Sequence, residues 1–222
     1  MENTDTSLLE VLRLAMSAVD PNTALHCDRV AAYLAWLASV VCQDLSEEEL
    51  HLLWESGWLH DVGKICLAPT LLRSSKRLTH DEMATIRTHP ERGAALVSQM
   101  PRFCHAVPVV LHHHERYDGD GYPMGLVGEA IPLFARIASV VDAFDAMTGC
   151  RPYRTKASPE VAMQEIIANI GSQFDPLIVN IFVREFHHVR HLYHQLHSAN
   201  PPTNWNEPNL DVVQNLAVTA AK

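Results

Sequence analysis

Seven side chains in this sequence have the types and spacing to hold metal ions. His60 and Asp61 are adjacent at the end of a helical stretch and run into Val62-Gly63-Lys64. His89-Pro90 falls at the junction of two helical stretches, and His113-His114 ends the next. Asp142 interrupts an apolar run, and His26 lies in the first turn of an early helix. Singly, each is weak: a lone histidine on an apolar face is commonly a hydrogen-bonded core residue. Asp142 differs, because a carboxylate between Val141 and Ala143-Phe144 needs a partner or a cation. Together they supply five imidazoles, two carboxylates and no thiolate. Such donors suit Fe, Mn, Zn, Ni or Co and do not suit a structural zinc cage. They can hold two ions, with Asp61 beside His60 as a bridge. A pair of ions ~3.5–4 Å apart can activate a shared water and stabilise both oxygens of an in-line phosphoryl displacement.

The elements that must position these residues read as helices. Apolar spacing predicts one over Ser7–Val19 and a second from Thr23 to about Val41. Ser46 with Glu49, and Thr79 with Glu82, are capping boxes, opening helices to about His60 and Thr88. Pro69 to Leu72 marks a short helical turn, Pro90 a first helical position, and Val107 to about Glu115 a further helix. Tyr117-Asp118-Gly119-Asp120-Gly121-Tyr122-Pro123 has no helical or strand period. It belongs to a loop of about 15 residues, a length that in a compact domain usually signals function. Leu133–Met147 is apolar almost all round and predicts a buried helix. Further helices start at Ser158-Pro159 and at Asp175-Pro176, the last reaching about His197. A tail with a short amphipathic stretch near Leu210–Val218 follows. No strand-like alternation persists, so the expected fold is all-α, a compact helical bundle. The expected organisation is a helical extension over 1–20, one catalytic domain over 21–197 and a tail over 198–222.

Composition bounds the rest. Of 222 residues, 47% are hydrophobic and 19% charged, as in an ordinary globular protein. The net charge of −9 argues against nonspecific DNA binding, though a local cluster of cations could still hold a small anion. No apolar run approaches the ~20 residues that cross a bilayer, and the polar start is unlike a signal peptide. Cys27, Cys42, Cys66, Cys104 and Cys150 form no CxxC pair and read as reduced thiols, mostly packing, in a cytoplasmic protein.

His60-Asp61-Val62-Gly63-Lys64, His89-Pro90, His113-His114-Glu115-Arg116 and Asp118-Gly119-Asp120-Gly121-Tyr122-Pro123 resemble the HD-GYP family. So do Ile131-Pro132, Asp142 and Arg151-Pro152-Tyr153-Arg154, a match covering about residues 20–190. The resemblance implies an HD-domain fold and a metal-dependent phosphodiesterase acting on cyclic di-GMP, giving the linear dinucleotide, GMP or both. It makes His26, His60, Asp61, His89, His113, His114 and Asp142 metal ligands, with Asp61 bridging. It puts Lys64 beside the scissile phosphate, Tyr122 in the substrate pocket, and Arg151 and Arg154 on phosphate. Asn22 stands where some members carry a glutamate for a third ion, so two ions are expected, Fe or Mn before Ni, Co or Zn.

Other readings stand beside these. Lys64, Arg151 and Arg154 could be solvated, and Gly121-Tyr122-Pro123 an ordinary turn. Glu115 could orient a ligand histidine or end an exposed helix. His112 is read as lying outside the ligand set. His187, His188, His191, His194 and His197 are read as a polar helix face, not a second metal site. The chain could instead hydrolyse another cyclic dinucleotide or a nucleotide, or be a non-catalytic adaptor that binds the messenger. With no sensor domain ahead of the match, regulation is expected through a partner, a homodimer, or metal and redox state.

Overall fold

The computed structural model describes residues 4–74, 76–149 and 156–198. Eleven α-helices and three short 3₁₀ segments make up the described fold, and no strand occurs among these residues. The all-α expectation is met. No helix among them is long and apolar enough to cross a membrane.

Helix α1 spans Thr4–Val19 and α2 Pro21–Val41. Asp20 caps α2 by accepting the Asn22 N–H, and Pro21 occupies the first turn, so α2 opens two residues before Thr23. His26 therefore sits in its second turn. Asn22 is exposed, its amide directed back to Asp20 Oδ1. Helix α2 is the centre of the core: from Val30 to Ala38 most side chains are fully buried, and it packs on α3 and α8. Helix α3, Glu47–Leu59, starts at the Ser46–Glu49 capping box. A 3₁₀ segment, Val62–Cys66, carries the chain away from His60-Asp61.

Gly63 sets how closely this segment meets the next histidine. A Cβ there would lie 2.0 Å from His89 O, so only glycine lets the Asp61 turn reach the start of α6, His89–Ser98. Between them lie α4, Pro69–Leu72, and α5, His80–Ile86, the latter opened by the Thr79–Glu82 box.

A 3₁₀ segment at Pro101–Ala106 leads into α7, Val107–His112. Helix α7 ends earlier than the spacing predicts, and His113-His114 occupy the turn beyond it. The loop runs from there to α8, Leu133–Thr148, interrupted by a 3₁₀ turn at Gly128–Ala130. Helix α8 is buried along most of its length, with Asp142 half-buried on the side that faces the site.

Helix α9 spans Pro159–Ala168. The last predicted helix is two: α10, Pro176–Arg184, and α11, Phe186–Leu196. No glycine or proline marks the break. It lies at Glu185, φ −93° and ψ 14°, whose largely buried carboxylate takes Arg184 Nε at 2.7 Å and His188 Nδ1 at 3.2 Å. His188 is therefore buried and His197 half-buried, while His187, His191 and His194 are exposed, so the polar face is three residues, not five. Cys27 packs in the core and Cys42 is half-buried, but Cys66 and Cys104 are exposed free thiols. Cys150, Arg151, Arg154 and the stretch 210–218 lie outside the described residues.

Candidate metal centre and substrate pocket

All seven predicted ligands converge, from five places in the chain. Asp61, His89, His113 and His114 form one group and His26, His60 and Asp142 another, with ligand atoms in each within 4.8 Å of one another. Asp61 stands between the two. Its Oδ1 lies 3.1 Å from His89 Nε2 and 3.9 Å from His113 Nε2. Its Oδ2 lies 3.5 Å from His60 Nε2 and 3.9 Å from His26 Nε2. Asp142 Oδ1 closes the second group, 3.0 Å from His26 Nε2 and 3.9 Å from His60 Nε2.

The backbone fixes which ring nitrogen faces inward. His60 Nδ1 donates to Gly57 O at 2.6 Å, His89 Nδ1 to Ile86 O at 2.8 Å and His113 Nδ1 to Val110 O at 3.0 Å. Since a carbonyl only accepts, each Nδ1 carries the proton and each Nε2 presents a lone pair to the centre. These lone pairs meet one another and a carboxylate: His89 Nε2 lies 3.3 Å from His113 Nε2. His60 Nε2 and Asp61 Oδ1 are buried without any hydrogen-bond partner. Inward-facing lone pairs with nothing to accept from are costly unless a cation sits among them. The residues present fit a metal centre on this ground alone.

Electrostatics agree. Burial raises the Asp61 carboxyl, but the Lys64 ammonium and the surrounding imidazoles outweigh it and hold it well below the usual range. Burial acts on Asp142 in the same sense and is outweighed by His26, so it too stays ionised. Burial keeps His60 and His113 below their ordinary value and takes His114 down to about 4, so all three are neutral and ready to ligate. His26 is the exception. Burial opposes its charge, but hydrogen bonds to Asp142 and Asp145 raise it to about 9.

Asp145 is the site residue that sequence reading missed. It is fully buried one turn beyond Asp142, takes His26 Nδ1 at 2.7 Å, and is itself held by Arg29 Nε at 2.7 Å and Nη2 at 2.9 Å. A carboxylate behind a ligand imidazole fixes its ring and raises its basicity. The signal was present as a second aspartate in the buried helix, but nothing in the spacing says which histidine it backs. Cys27 also lies against His60 and Asp61. Burial pushes its thiol well above the ordinary value, so it stays protonated and packs.

Lys64 is not solvated. Its ammonium sits 2.5 Å from Asp61 Oδ2 with only 19% of the side chain exposed. Beside the centre opens a cavity of about 320 Å³, lined by His113, His114, Asp142, Tyr122 and Arg87 among others. The Tyr122 ring stacks on His114 at 4.9 Å and 30°. Gly121 lets the loop fold back, since a Cβ there would lie 2.2 Å from Arg116 N. Glu115, left open by the sequence, is buried and grips that loop: Oε1 accepts Met124 N–H at 2.7 Å and Oε2 accepts Leu126 N–H at 3.1 Å. His112 stays outside both ligand groups, its Nδ1 3.6 Å from Glu115 Oε1. A third cluster, Glu185, His187 and His188, is distant in sequence from these motifs, and its carboxylate is already paired with Arg184.

Residues 13–178 match the family described as HD domain. The chain is 38% identical over 186 residues to the cyclic di-GMP phosphodiesterase response regulator RpfG of Xanthomonas campestris, covering 83% of this chain and 49% of that one. It is 31% identical over 188 residues to the 3′3′-cGAMP-specific phosphodiesterase 2 of Vibrio cholerae, covering 84% of this chain and 36% of that one. The chain thus spans about half the length of the first of these relatives or less. Its fold is similar to the crystal structure of a cyclic GMP-AMP specific phosphodiesterase of V. cholerae, V-cGAP3. The TM-score is 0.63 at 24% identity, over 97% of this chain and 58% of that one.

Proposed function

This chain belongs to the HD-domain family, in its HD-GYP branch, and from that premise we propose that it is a metal-dependent phosphodiesterase that hydrolyses cyclic di-GMP to the linear dinucleotide, GMP or both. One observation carries the reading: the two oxygens of Asp61 face two separate imidazole groups. Asp61 would thereby serve both groups, each of which would hold one divalent ion, Fe or Mn before Ni, Co or Zn. His89, His113 and His114 would hold one ion, and His26, His60 and Asp142 the other. Held there, two such ions supply Lewis acidity and an activated water at neutral pH.

The chain's own groups do the rest. Lys64 stands over Asp61, where its ammonium can neutralise charge gathering on the phosphate oxygens. Tyr122 presents its ring to the cavity, and Glu115 keeps the loop that carries it in place. His114 stacks on Tyr122, which joins the ligand set to the substrate wall. Arg151 and Arg154 are proposed to hold phosphate. A different cyclic dinucleotide is the second reading, favoured by the resemblance to a relative named for 3′3′-cGAMP. The adaptor reading is weakened because all seven ligand positions are filled and convergent.

The test is turnover. Protein purified without oxygen and supplied with Fe or Mn is incubated with cyclic di-GMP and, separately, with 3′3′-cGAMP, beside Asp61→Asn. The linear dinucleotide or GMP from cyclic di-GMP, formed by the wild type alone, supports the reading and shows where hydrolysis stops. Cleavage of 3′3′-cGAMP alone moves the substrate. No cleavage by protein holding its metals overturns the phosphodiesterase reading.

A further inference from the structure

Arg87 occupies the turn between α5 and α6, where nothing in the motifs assigns it a task. Its backbone is fixed on both sides. The Arg87 N–H bonds Met83 O at 2.9 Å, and His89, two residues on, is anchored through Nδ1 to Ile86 O. Its guanidinium is exposed and lies 5.3 Å from the centroid of the Tyr122 ring, on the lining of the cavity beside His113, His114 and Asp142. The other cavity-lining arginine, Arg116, is tied to Asp118 by two hydrogen bonds, at 3.0 and 2.6 Å. Lys64 is tied to Asp61. Arg87 has no carboxylate partner among the described residues; its guanidinium lies over an aromatic face. A guanidinium over a ring face and without a carboxylate partner keeps its planar fork of donors free, and that fork matches two phosphate oxygens at once.

We infer that Arg87 binds the phosphate of a cyclic dinucleotide that is not being cut. The inference rests on the phosphodiesterase reading above. A ring with two phosphodiesters cannot place both at the metal groups, so the second must meet the cavity wall. Among the described residues, Arg87 is the cation of that wall without a carboxylate partner. Among the described residues no hydrogen bond or ion pair joins it to the proposed metal ligands, which fits a role in holding substrate rather than in the bond-breaking step. A residue that grips substrate and transition state equally changes KM and leaves kcat.

Arg87→Gln and Arg87→Lys are compared with the wild type, metal-loaded, for turnover and for equilibrium affinity with cyclic di-GMP. The expected result is a KM and Kd raised about 10-fold to 100-fold by Gln, with kcat within about twofold, and a smaller rise with Lys, which keeps the charge and loses the fork. The Gln effect on Kd should shrink as salt is raised. A fall in kcat at constant KM, or no change in affinity, overturns the inference. Wild-type protein that binds the dinucleotide without cutting it overturns the hydrolase reading alone, and the Arg87→Gln affinity then decides this one. Wild-type protein that neither binds nor cuts it overturns both.

Discussion

Glu115 Oε1 accepts the backbone N–H of Met124 at 2.7 Å, nine residues further along the chain. Through this bond the residue that follows His113-His114 also sets the path of the loop carrying Tyr122. The acceptor is ionic and buried, and a second amide, Leu126, shares it. Glu115→Ala leaves two loop amides without an acceptor and is expected to cost about 2–4 kcal/mol of stability. Glu115→Gln keeps one carbonyl acceptor and is expected to cost about 1 kcal/mol while lowering kcat/KM about tenfold at full metal content. Urea unfolding, metal analysis and steady-state kinetics on the two variants check this. Metal lost in step with activity would place Glu115 in the ligand shell instead.

Asp145 and His26 define a second support. Asp145→Asn keeps the shape and removes the charge that His26 Nδ1 and Arg29 both use. On the proposed role of His26, the affinity for metal at that group is expected to fall roughly 10-fold to 100-fold. Stability falls as well, by about 3 kcal/mol, because Arg29 keeps its charge in a largely buried place without a counter-charge. Competition with a chelator of known affinity separates the effects. Lost stability with unchanged metal affinity makes Asp145 a structural partner of Arg29 alone.

What could be read from the sequence divides along a physical line. Helix starts were legible because capping is local: Ser46 with Glu49 and Thr79 with Glu82 declare themselves within four residues. The convergence of the seven histidines and aspartates was legible because imidazoles and an apolar-flanked carboxylate have few other uses in that combination. Helix ends were less so. Helix α7 stops at His112 and α10 at Arg184 without glycine or proline, and the side-chain bonds at these stops, His113 Nδ1 to Val110 O and Glu185 to Arg184 and His188, follow no capping pattern. The supporting residues fared the same way. Glu115 meets two loop amides, Asp145 meets His26 and Arg29, and Arg87 lies over an aromatic face, and no spacing rule encodes those partners.

Lys64 and Asp61 share an ion pair, yet their variants should separate. Lys64→Met removes the cation over Asp61 but none of the inward-facing donors. The expected outcome is full metal content with kcat down about 10²–10³-fold, the usual cost of losing one preorganised charge-stabilising group. Asp61→Asn, by contrast, takes a charge from both groups and should lose metal together with activity. Elemental analysis and single-turnover rates on both proteins distinguish them. Loss of metal from Lys64→Met would assign the lysine to holding Asp61 rather than to the phosphate.

Outside the candidate ligand set, Glu55 gives a prediction about acid. It is buried in α3 and meets Arg102 at 2.6 Å, His51 at 3.2 Å and His105 at 3.3 Å, so it ties α3 to the segment before α7. Burial raises its carboxyl, but the neighbouring His105 and His51 and the charge of Arg102 outweigh that and bring it to about 2. The unfolded chain therefore takes up this proton at higher pH than the folded one. The stability that follows is complete above the ordinary glutamate value of 4.5 and is lost as pH falls from there towards about 2. Arg102 is partly exposed, so solvent screening limits the contribution to roughly 2 kcal/mol. Glu55→Gln should be less stable than the wild type by about that amount at pH 7, with the gap closing between pH 4.5 and 2. Urea unfolding of metal-free protein across this range measures it; a gap that stays constant with pH would mean that packing, not charge, is what Glu55 contributes.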